Sequence, residues 1–378
     1  MARAKLFFFV TEDWYFCSHR LALAVSAIEE GFDVAVITRV SEHGKTITDA
    51  GVRLIPLRMS RRGMNPLREA AMVFVLWRIY RMERPDIVHH VAMKPVLYGA
   101  MAARFAGCKR VVNAIAGLGY IFISHQKKAK VLRQFVKQAF RLLLNYPGSR
   151  LVLQNGDDVE LFRRSGLVDS GRITLIRGAG VDTRRFCPAP ESTGKPVVML
   201  ASRMLWDKGV GDFVEAAALL RREGVAARFV LVGESDPENF AAIPSEQLRI
   251  WQEAGTVEWW GHQKDMPRVL GQAHLVCLPS YREGLPKVLL EAASCAKPIV
   301  AADVPGCREI VRQGETGFLV PARDVVALAT ALKCLVNSPG LRRRMGDAGR
   351  RLVIEEFSQD IVNRQTLRLY RELLACPL

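Results

Sequence analysis

Two glutamates and a glycine–proline pair stand close together in the segment Arg282–Glu291 (REGLPKVLLE). Gly284 permits close approach of the backbone, and Pro286 suits the first turn of a helix. The free N–H groups at a helix start and the helix dipole together favour binding of an anion. Glu283 and Glu291 are eight residues apart, about 12 Å along a helix, so we expect them at opposite ends of one extended ligand. An ordinary strand–loop–helix with solvated glutamates is the alternative.

A second segment, Ser202–Gly209 (SRMLWDKG), carries two cations directly after a predicted strand. Arg203 offers a forked set of donors and Lys208 a point charge, and both suit a diphosphate group. Solvated surface cations are the alternative for either residue alone. Because ligands of doubly wound sheets bind outside the carboxyl ends of the strands, we expect both segments to face one crevice.

The elements that must position these residues follow from an alternation of apolar β-branched or aromatic runs with segments of helical periodicity. This alternation is typical of parallel sheets covered by helices on both faces. A segment rich in Pro and Gly at 186–196 interrupts it before the pattern resumes. We predict an α/β protein of two doubly wound, Rossmann-like domains facing a cleft, 1–187 and 188–378, the last helix packing back on the first. The predicted strands are 5–10, 33–38, 52–57, 86–91, 110–115, 150–154, 172–176, 197–202, 228–233, 257–261, 275–280, 298–303 and 317–321.

The composition excludes several classes of protein. The chain has 378 residues, of which 49% are hydrophobic and 24% charged, as in globular proteins. Its eight cysteines show no C-x-x-C pair, which predicts reduced thiols rather than a disulfide scaffold. No apolar run approaches the ~18–20 residues of a spanning helix, and Leu6–Val10 predicts a buried strand rather than a secretion signal. We expect a cytoplasmic protein, soluble or peripheral.

The net charge of +16 is unevenly distributed. Residues 1–187 contain 30 Lys and Arg against 15 Asp and Glu, whereas the remainder contains 24 against 23. No acidic residue occurs between Asp86 and Asp157. This asymmetry indicates an anionic partner for the first domain: a membrane face, a nucleic acid or a phosphorylated substrate. The first half has no recognised nucleic-acid motif, so we expect no nucleic-acid partner, whose binding would weaken steeply with salt.

Part of the excess charge lies on a predicted amphipathic helix, Lys127–Leu144. A helical wheel places its hydrophobic residues on one side and its cations roughly opposite. One interpretation is a core-facing helix with a solvated basic face. The other is an interfacial helix on anionic lipid, where each cation contributes ~1 kcal/mol near the surface. The cations of this patch are Lys127, Lys130, Arg133, Lys137 and Arg141, and the patch extends to Arg58, Arg61, Arg62 and Arg68.

These segments resemble the retaining glycosyltransferases of family 4, which have the GT-B fold, and the resemblance runs over essentially the whole chain. It is carried by the pair Arg203/Lys208, the Glu283-x7-Glu291 spacing, AKPIVAADVPG at 296–306 and GETGFLV at 314–320. The first half resembles a bacterial subgroup that adds a sugar to an undecaprenyl-diphosphate-linked amino sugar at the cytoplasmic membrane face. That resemblance is carried by SHRL at 18–21, HHVAMKP at 89–95, GLGY at 117–120 and GAGVD at 178–182.

The resemblance implies roles for the residues of the second domain. Arg203 and Lys208 would hold the nucleotide diphosphate, Glu291 the ribose hydroxyls, and Glu283 the hydroxyls of the donor sugar. The sequence has no Asp-x-Asp, so no metal and no cofactor are expected, and phosphate charge would be balanced by the cations and the helix start. The backbone lining sugar and phosphate would be that of Gly284, Leu285, Pro286 and Lys287.

On the acceptor side the chain departs from many members of the family. They place a histidine just after the fifth strand, where this chain has Ala114–Gly117. His19 and His90 are therefore candidates to assist the acceptor, with a hydrogen-bonded structural histidine as the alternative for each. Thr11–Trp14 replaces a glycine pair, which indicates a specialised acceptor side. Substrate-binding roles are also expected for Gly117, Gly119, Tyr120 and Lys94.

The implied activity is transfer of a sugar with retention, by front-face attack, in assembly of a bacterial surface polysaccharide or glycan. The expected donor is UDP-linked, with an N-acetylhexosamine, and the expected acceptor is a polyprenyl-diphosphate-linked saccharide. The protein would then be peripheral on the inner face of the cell membrane, held by its anionic surface. The alternatives are a soluble transferase of the same fold without a lipid acceptor and a nucleotide-sugar epimerase.

Overall fold

The computed structural model describes residues 3–59, 65–115, 117 and 127–376, and at 66 and 127–135 it describes the backbone alone. The chain divides into two compact units: the first is Met1–Ala179 with Val362–Leu378, and the second is Gly180–Ile361. The division lies a few residues before the expected boundary at 187. The Pro- and Gly-rich segment at 186–196, whose lack of periodicity is typical of a linker, packs on the second unit, because Phe186 is buried in its core and Glu191 pairs with Arg342 at 3.0 Å.

The first unit is built on a parallel sheet, which has seven strands in the described residues. The strands lie side by side in the order β3-β2-β1-β4-β5-β6-β7. The order therefore reverses between β1 and β4, the kind of position where open α/β sheets bind ligands. In chain order the strands are β1 (Lys5–Glu12), β2 (Asp33–Arg39), β3 (Arg53–Pro56), β4 (Ile87–Val91), β5 (Val111–Ile115), β6 (Ser149–Leu153) and β7 (Ile173–Leu175).

Helices cover both faces of this sheet. Side chains alternate between the faces along a strand, and in β1 both sets are buried: Phe8 lies in one hydrophobic cluster, Phe7 and Phe9 in another. The sequence pattern predicts a helix from His19 to Glu30, and the structure has a helix at Leu21–Glu29; a further helix, Asp13–His19, precedes it and ends where the backbone leaves the helical conformation at Arg20 (φ −133°, ψ −15°). The helices are α1 (Asp13–His19), α2 (Leu21–Glu29), α3 (Gly44–Asp49), α4 (Pro66–Glu83), α5 (Met93–Ala106), α6 (Lys127–Leu144) and α7 (Gly156–Ser165).

The second unit repeats this plan with a parallel sheet of six described strands in the order β10-β9-β8-β11-β12-β13. The order reverses between β8 and β11. Predicted strand 257–261 shortens to two residues, whereas the others agree closely. The strands are β8 (Val197–Ala201), β9 (Arg228–Val232), β10 (Glu258–Trp259), β11 (Leu275–Leu278), β12 (Ile299–Ala302) and β13 (Gly317–Val320).

The core of the second unit again lies on both faces of its sheet. Val197 and Met199 pack into one cluster and Val198 and Leu200 into the other. The prediction of two doubly wound parallel-sheet domains is thus confirmed. The helices are α8 (Val210–Arg222), α9 (Ser245–Glu253), α10 (Met266–Gly271), α11 (Lys287–Ser294), α12 (Cys307–Ile310), α13 (Val325–Val336) and α14 (Pro339–Leu352); a last helix, α15 (Gln359–Ala375), contributes Tyr370 and its neighbours to the core of the first unit.

Candidate functional site

The loops that follow β8 and β11 meet at the point where the strand order of the second unit reverses. Gly209 has φ +69°, and a Cβ there would lie 2.1 Å from the carbonyl oxygen of Pro279, so only glycine allows this approach. The amide of Tyr281 donates to the carbonyl oxygen of Asp207 at 2.9 Å. The two loops are therefore held in direct backbone contact, which fixes the relative positions of the charged side chains they carry.

Lys208 and Glu283 form an ion pair across these two loops. The Lys208 ammonium donates to Glu283 Oε1 at 2.5 Å, and Glu283 is only 8% exposed. Burial raises the pKa of the neighbouring Asp207, an effect that Lys208 and Arg203 oppose and Glu283 adds to. A cation and two carboxylates thus share one small region, which can present both a positive charge and hydrogen-bond acceptors to a polar ligand.

Arg203 follows β8 as expected, and its guanidinium has a partner that the sequence did not indicate. Its Nη1 donates to Asp236 Oδ2 at 2.8 Å, and Asp236 lies in the loop after β9. The Arg203 side chain is 42% exposed. Contact between Arg203 and a diphosphate stays a prediction, and it requires the guanidinium to share its donors with Asp236 or to leave it.

Helix α11 begins at Lys287, with Pro286 in extended conformation as its N-cap. Glu283 precedes the helix, so the two glutamates do not lie on one continuous helix, and the separation of about 12 Å that such a helix would give does not apply to them. Glu291 lies in α11, is 8% exposed and accepts from the Lys287 ammonium at 3.3 Å. Burial raises the pKa of Glu291 and Lys287 opposes the rise. A buried carboxylate of this kind is suited to accept hydrogen bonds from hydroxyl groups.

The backbone between Glu283 and the helix start is supported from the loop after β12. Gly306 has φ +80°, and a Cβ there would lie 2.4 Å from the Gly284 carbonyl oxygen and 3.0 Å from that of Glu283. Gly284, Leu285 and Pro286 are themselves buried. Gly306 therefore supports the backbone of Glu283 and Gly284. The sequence assigns it no role, although it is the last residue of the segment 296–306 that carries part of the resemblance.

In the first unit, the two adjacent histidines of β4 are core residues. His90 is 0% exposed; its Nε2 lies 3.2 Å from the Tyr80 hydroxyl and its Nδ1 lies 2.9 Å from Asn113 Oδ1. Burial lowers the pKa of His90 to about 4, against a smaller opposing effect of Asn113. A substituted Gly99 would meet the His90 ring at 2.5 Å. This burial favours the alternative of a hydrogen-bonded structural histidine, and assistance of the acceptor by His90 stays an untested prediction.

His19 and Lys94 lie at the reversal point of the first sheet, after β1 and β4. His19 is half-buried, and its ring stacks on Tyr15 with 4.1 Å between centroids. The Lys94 ammonium donates to Glu69 at 2.8 Å and lies 5.6 Å from the Tyr98 ring centroid. Their proposed substrate contacts stay predictions, as does that of Gly117. Gly119 and Tyr120 lie outside the described residues.

Thr11–Trp14, the segment at the position of the family's glycine pair, lies at the carboxyl end of β1 and contains Asp13. Asp13 is fully buried and accepts from the amide and hydroxyl of Ser41 and from the amide of His43. Burial alone would raise the pKa of Asp13, but the hydrogen bonds, from Ser41 first, outweigh it and the pKa is lowered. Asp13 thus fastens the start of α1 to the loop after β2.

The basic patch belongs to α6, whose helical conformation was predicted correctly. Arg141 is exposed and Lys137 is half-buried, whereas the side chains of Lys127, Lys130 and Arg133 lie outside what the structure describes. Within the described chain, none of the helices is both long and apolar enough to cross a membrane. The assignment of the patch to a lipid surface is a prediction.

Two family models together match most of the chain. Residues 5–155 match the "Glycosyl transferase 4-like" model, and residues 195–338 match the "Glycosyl transferases group 1" model. The chain belongs to the group 1, family 4-like glycosyltransferases. The charged residues at the reversal between β8 and β11 of this glycosyltransferase, from Arg203 to Glu291, all lie within the residues that match the group 1 model.

Relatives of this glycosyltransferase include two bacterial enzymes with lipid-linked substrates in their names. The N,N'-diacetylbacillosaminyl-diphospho-undecaprenol alpha-1,3-N-acetylgalactosaminyltransferase of Campylobacter jejuni is 26% identical over 90% of this chain and 92% of its own length. The UDP-Gal:alpha-D-GlcNAc-diphosphoundecaprenol alpha-1,3-galactosyltransferase of Escherichia coli is 25% identical over 80% of each chain.

Solved structures support the fold of this glycosyltransferase. The sucrose-phosphate synthase of Thermosynechococcus elongatus superposes with a TM-score of 0.80 at 21% identity, over 99% of this chain and 100% of the other. The Anabaena protein HepE, solved in complex with UDP-glucose, superposes with a TM-score of 0.78 at 17% identity, over 97% and 99%. Both likenesses extend over nearly complete chains, so both units share the fold.

Proposed function

We propose that this glycosyltransferase moves a sugar, an N-acetylhexosamine, from a UDP-linked donor to a polyprenyl-diphosphate-linked saccharide with retention of configuration. The enzyme works in assembly of a bacterial surface polysaccharide or glycan, from a peripheral position on the inner face of the cell membrane. The donor binds to the second unit and the acceptor to the first.

The observation that carries the proposal is the Lys208–Glu283 ion pair at the β8–β11 reversal, beside the start of α11. Departure of a nucleoside diphosphate leaves negative charge on phosphate oxygens, and preorganised cations and backbone N–H groups stabilise such charge. Lys208 supplies the cation, Arg203 adds a forked donor, and the start of α11 adds amides. Glu283 is placed to exchange part of its contact with Lys208 for hydroxyl groups of the sugar.

Glu291 supplies the second end of the donor site. It is buried in α11, where its raised pKa reflects poor solvation. Hydroxyl groups of a ribose would donate to this carboxylate and replace solvent that burial has removed. In this proposal Glu283 binds the sugar, Lys208 and Arg203 bind the diphosphate, and Glu291 binds the nucleoside.

In the proposed reaction the acceptor hydroxyl attacks the anomeric carbon on the face from which the diphosphate leaves. The bond from that carbon to the phosphate oxygen breaks, the new glycosidic bond forms, and the hydroxyl proton passes to the departing phosphate. Catalysis then consists of positioning and of charge stabilisation. With Lys208 and Arg203 at the phosphates, the step is proposed to need no metal ion.

The acceptor class is supported by the two relatives in Campylobacter jejuni and Escherichia coli, both named for diphospho-undecaprenol sugars. The second name also includes a UDP-linked donor. The excess of cations in residues 1–187 adds a physical argument, because a diphosphate-linked lipid and an anionic membrane both attract positive charge.

The proposal is tested with the purified full chain, undecaprenyl diphosphate carrying an amino sugar, and UDP-linked N-acetylglucosamine, N-acetylgalactosamine and galactose in turn. Mass spectrometry identifies the product, and proton NMR coupling gives the configuration of the new linkage. We expect transfer with retention, unchanged by a metal chelator. A water-soluble saccharide without lipid is the matched control acceptor.

Three outcomes would contradict parts of the proposal. Inversion at the anomeric carbon would overturn the front-face reaction. Equal transfer to the water-soluble saccharide would overturn the lipid acceptor in favour of a soluble transferase. Conversion of the UDP-sugar to its epimer in the absence of any acceptor would identify an epimerase.

A further inference from the structure

The outer face of α4 is unusual for a surface helix because it exposes large apolar side chains. Its inner face already supplies Met72, Leu76 and Tyr80 to the core. Leu67, Phe74 and Met82 nevertheless point outward, and the helix is therefore apolar on both sides. Exposed apolar patches of this kind mark surfaces that bind proteins, ligands or membranes.

Contacts join this face to α5 and α6. The Phe74 ring lies 5.3 Å from the Trp77 ring, and the Trp77 indole N–H donates to the Phe105 carbonyl oxygen at 3.3 Å. Arg104 donates to the Leu142 carbonyl oxygen at 3.4 Å. Phe74, Trp77, Phe105 and Leu142 thus form one surface across three helices, here called the α4–α6 face. The five outermost side chains are 59–82% exposed: Leu67, Phe74, Met82, Phe105 and Leu142.

The charges of this face have one sign. Among the described side chains of α4, α5 and α6, the exposed ionisable residues are all arginines. The acidic residues of α4 are only half-exposed and are neutralised locally: Glu69 accepts from Lys94 at 2.8 Å, and Glu83 pairs with Arg53 at 2.8 Å. The exposed arginines are Arg68, Arg78, Arg81, Arg104 and Arg141.

The geometry points to the α4–α6 face as a surface that docks on an anionic lipid bilayer and inserts Phe74, Phe105 and Leu142 among the lipids. Leu67 to Met82 spans about 22 Å along α4, so the helix lies in the plane of the interface. Aromatic and aliphatic side chains enter the boundary between headgroups and acyl chains, while the arginines meet lipid phosphates. Trp77 occupies the interfacial level that indole rings prefer.

Charge complementarity selects lipid over the other occupants. A two-fold interface between copies of this chain would bring the same arginines together without carboxylates to balance them. A nucleic acid would satisfy the arginines but leave Leu67, Met82 and Leu142 in contact with water. An anionic bilayer satisfies both the apolar side chains and the cations. The inference deepens the proposed function, since a lipid-linked acceptor requires an enzyme at the membrane surface.

The test is flotation of the full chain with vesicles of phosphatidylcholine alone and of phosphatidylcholine mixed with phosphatidylglycerol. No substrate is added, so the result does not depend on whether the proposed reaction occurs. We expect binding to the anionic vesicles only. The pair Phe74→Ser and Phe105→Ser, combined, is expected to weaken binding by about tenfold or more, since two phenyl groups no longer enter the lipid.

A matched control separates insertion from a general loss of surface hydrophobicity. Leu142 in the α4–α6 face is 71% exposed and Val326 on α13 of the second unit is 69% exposed. Leu142→Ser should weaken vesicle binding and Val326→Ser should not. Lipids with brominated acyl chains should quench fluorescence of the wild type more than that of Trp77→Phe, because the Trp77 indole lies at the bilayer.

Several results would overturn the docking surface. Unchanged binding of the Phe74→Ser/Phe105→Ser variant, with binding lost in Lys137→Gln/Arg141→Gln, would mean that charge on α6 alone attaches the protein. Loss of self-association instead of vesicle binding would assign the face to a second copy. Absence of wild-type binding to anionic vesicles would remove the surface itself, while the transfer assay would still judge the proposed reaction separately.

Discussion

The two units have the same sheet plan but place their charged groups differently. In the second unit, Lys208, Glu283 and Glu291 lie partly or largely buried at one edge of the sheet, each with a partner of opposite charge. In the first unit, the middle of the sheet holds the neutral pair His90 with Asn113, although charged side chains are buried elsewhere in this unit, among them Asp13 and Arg20. The same topology thus holds a Lys–Glu ion pair between two loops at the reversal point of the second unit and a neutral histidine–asparagine pair in the middle of the first sheet.

This difference in the placement of charged groups indicates where a doubly wound unit can hold a functional site. Buried ion pairs cost desolvation, and ionisable groups with perturbed pKa values cluster at functional sites. Neutral buried hydrogen bonds stabilise and orient the core without such a use. We therefore predict that the second unit supplies the groups that act in the reaction and that the first unit supplies binding surfaces. Three substitutions, given in order of their expected effect on sugar transfer, test whether the two units have these different roles.

Lys208→Ala should have the largest effect, a fall in kcat/KM of about 10²–10³, since one preorganised cation at a developing phosphate charge contributes that much. It also leaves Glu283 buried beside Asp207 without its cation. Adding Glu283→Gln should recover stability in thermal unfolding but not activity. The control is Lys333→Ala, which breaks an exposed pair with Glu223 in the same unit. Activity within about twofold of wild type in Lys208→Ala would contradict the assignment.

Gly306→Ala should have the next largest effect, because its Cβ would press on the backbone of Glu283 and Gly284. Displacing that segment by a fraction of an ångström is expected to lower kcat/KM for the donor between about tenfold and a hundredfold. Gly314 provides the control: its φ is +76°, close to the +80° of Gly306, but nothing lies within 4 Å of its Cβ position. Gly314→Ala should cost about 1–2 kcal/mol of stability through φ strain and leave activity unchanged. Equal effects at both positions would show that strain alone acts.

The fold was largely predictable because β-branched and aromatic runs such as those of β1 and β2 admit few other structures. The sequence did not indicate the short helix α1 or its end at Arg20, since no Gly or Pro separates α1 from α2. The start of α1 depends on Asp13 accepting from Ser41 and His43 in another loop. Contacts of that kind between distant segments leave no local pattern.

The candidate site was predictable to the level of residue type and position. Arg203, Lys208 and Glu283 lie at strand ends as expected, but their partners were not foreseen: Asp236 and the Lys208–Glu283 pair arise from loops brought together by the fold. For His90, the sequence alone left function and structure equally open. Its position in the middle of a sheet favours the structural role, because a polar residue in a fully covered strand must find partners inside the core.

The smallest effect on activity is expected for His90→Asn, which keeps a polar group near Asn113 and should retain transfer at neutral pH. Its effect is on stability. Burial lowers the pKa of His90 to about 4, below the value of about 6.5 expected in the unfolded chain. Between these values the unfolded state binds more protons, so stability is lost as the pH falls from about 6.5 towards about 4.

The full contribution of His90 over this window is about 3 kcal/mol. Burial also lowers the pKa of His89, which adds to the same loss. Unfolding by denaturant at a series of pH values should therefore give a steep decline in wild-type stability and a shallower one in His90→Asn. An acid-side decline that is identical in both proteins would mean that His90 does not titrate on unfolding. A large loss of sugar transfer at neutral pH in a folded His90→Asn variant would contradict the different roles of the two units, since it would show that a core residue of the first unit takes part in the reaction.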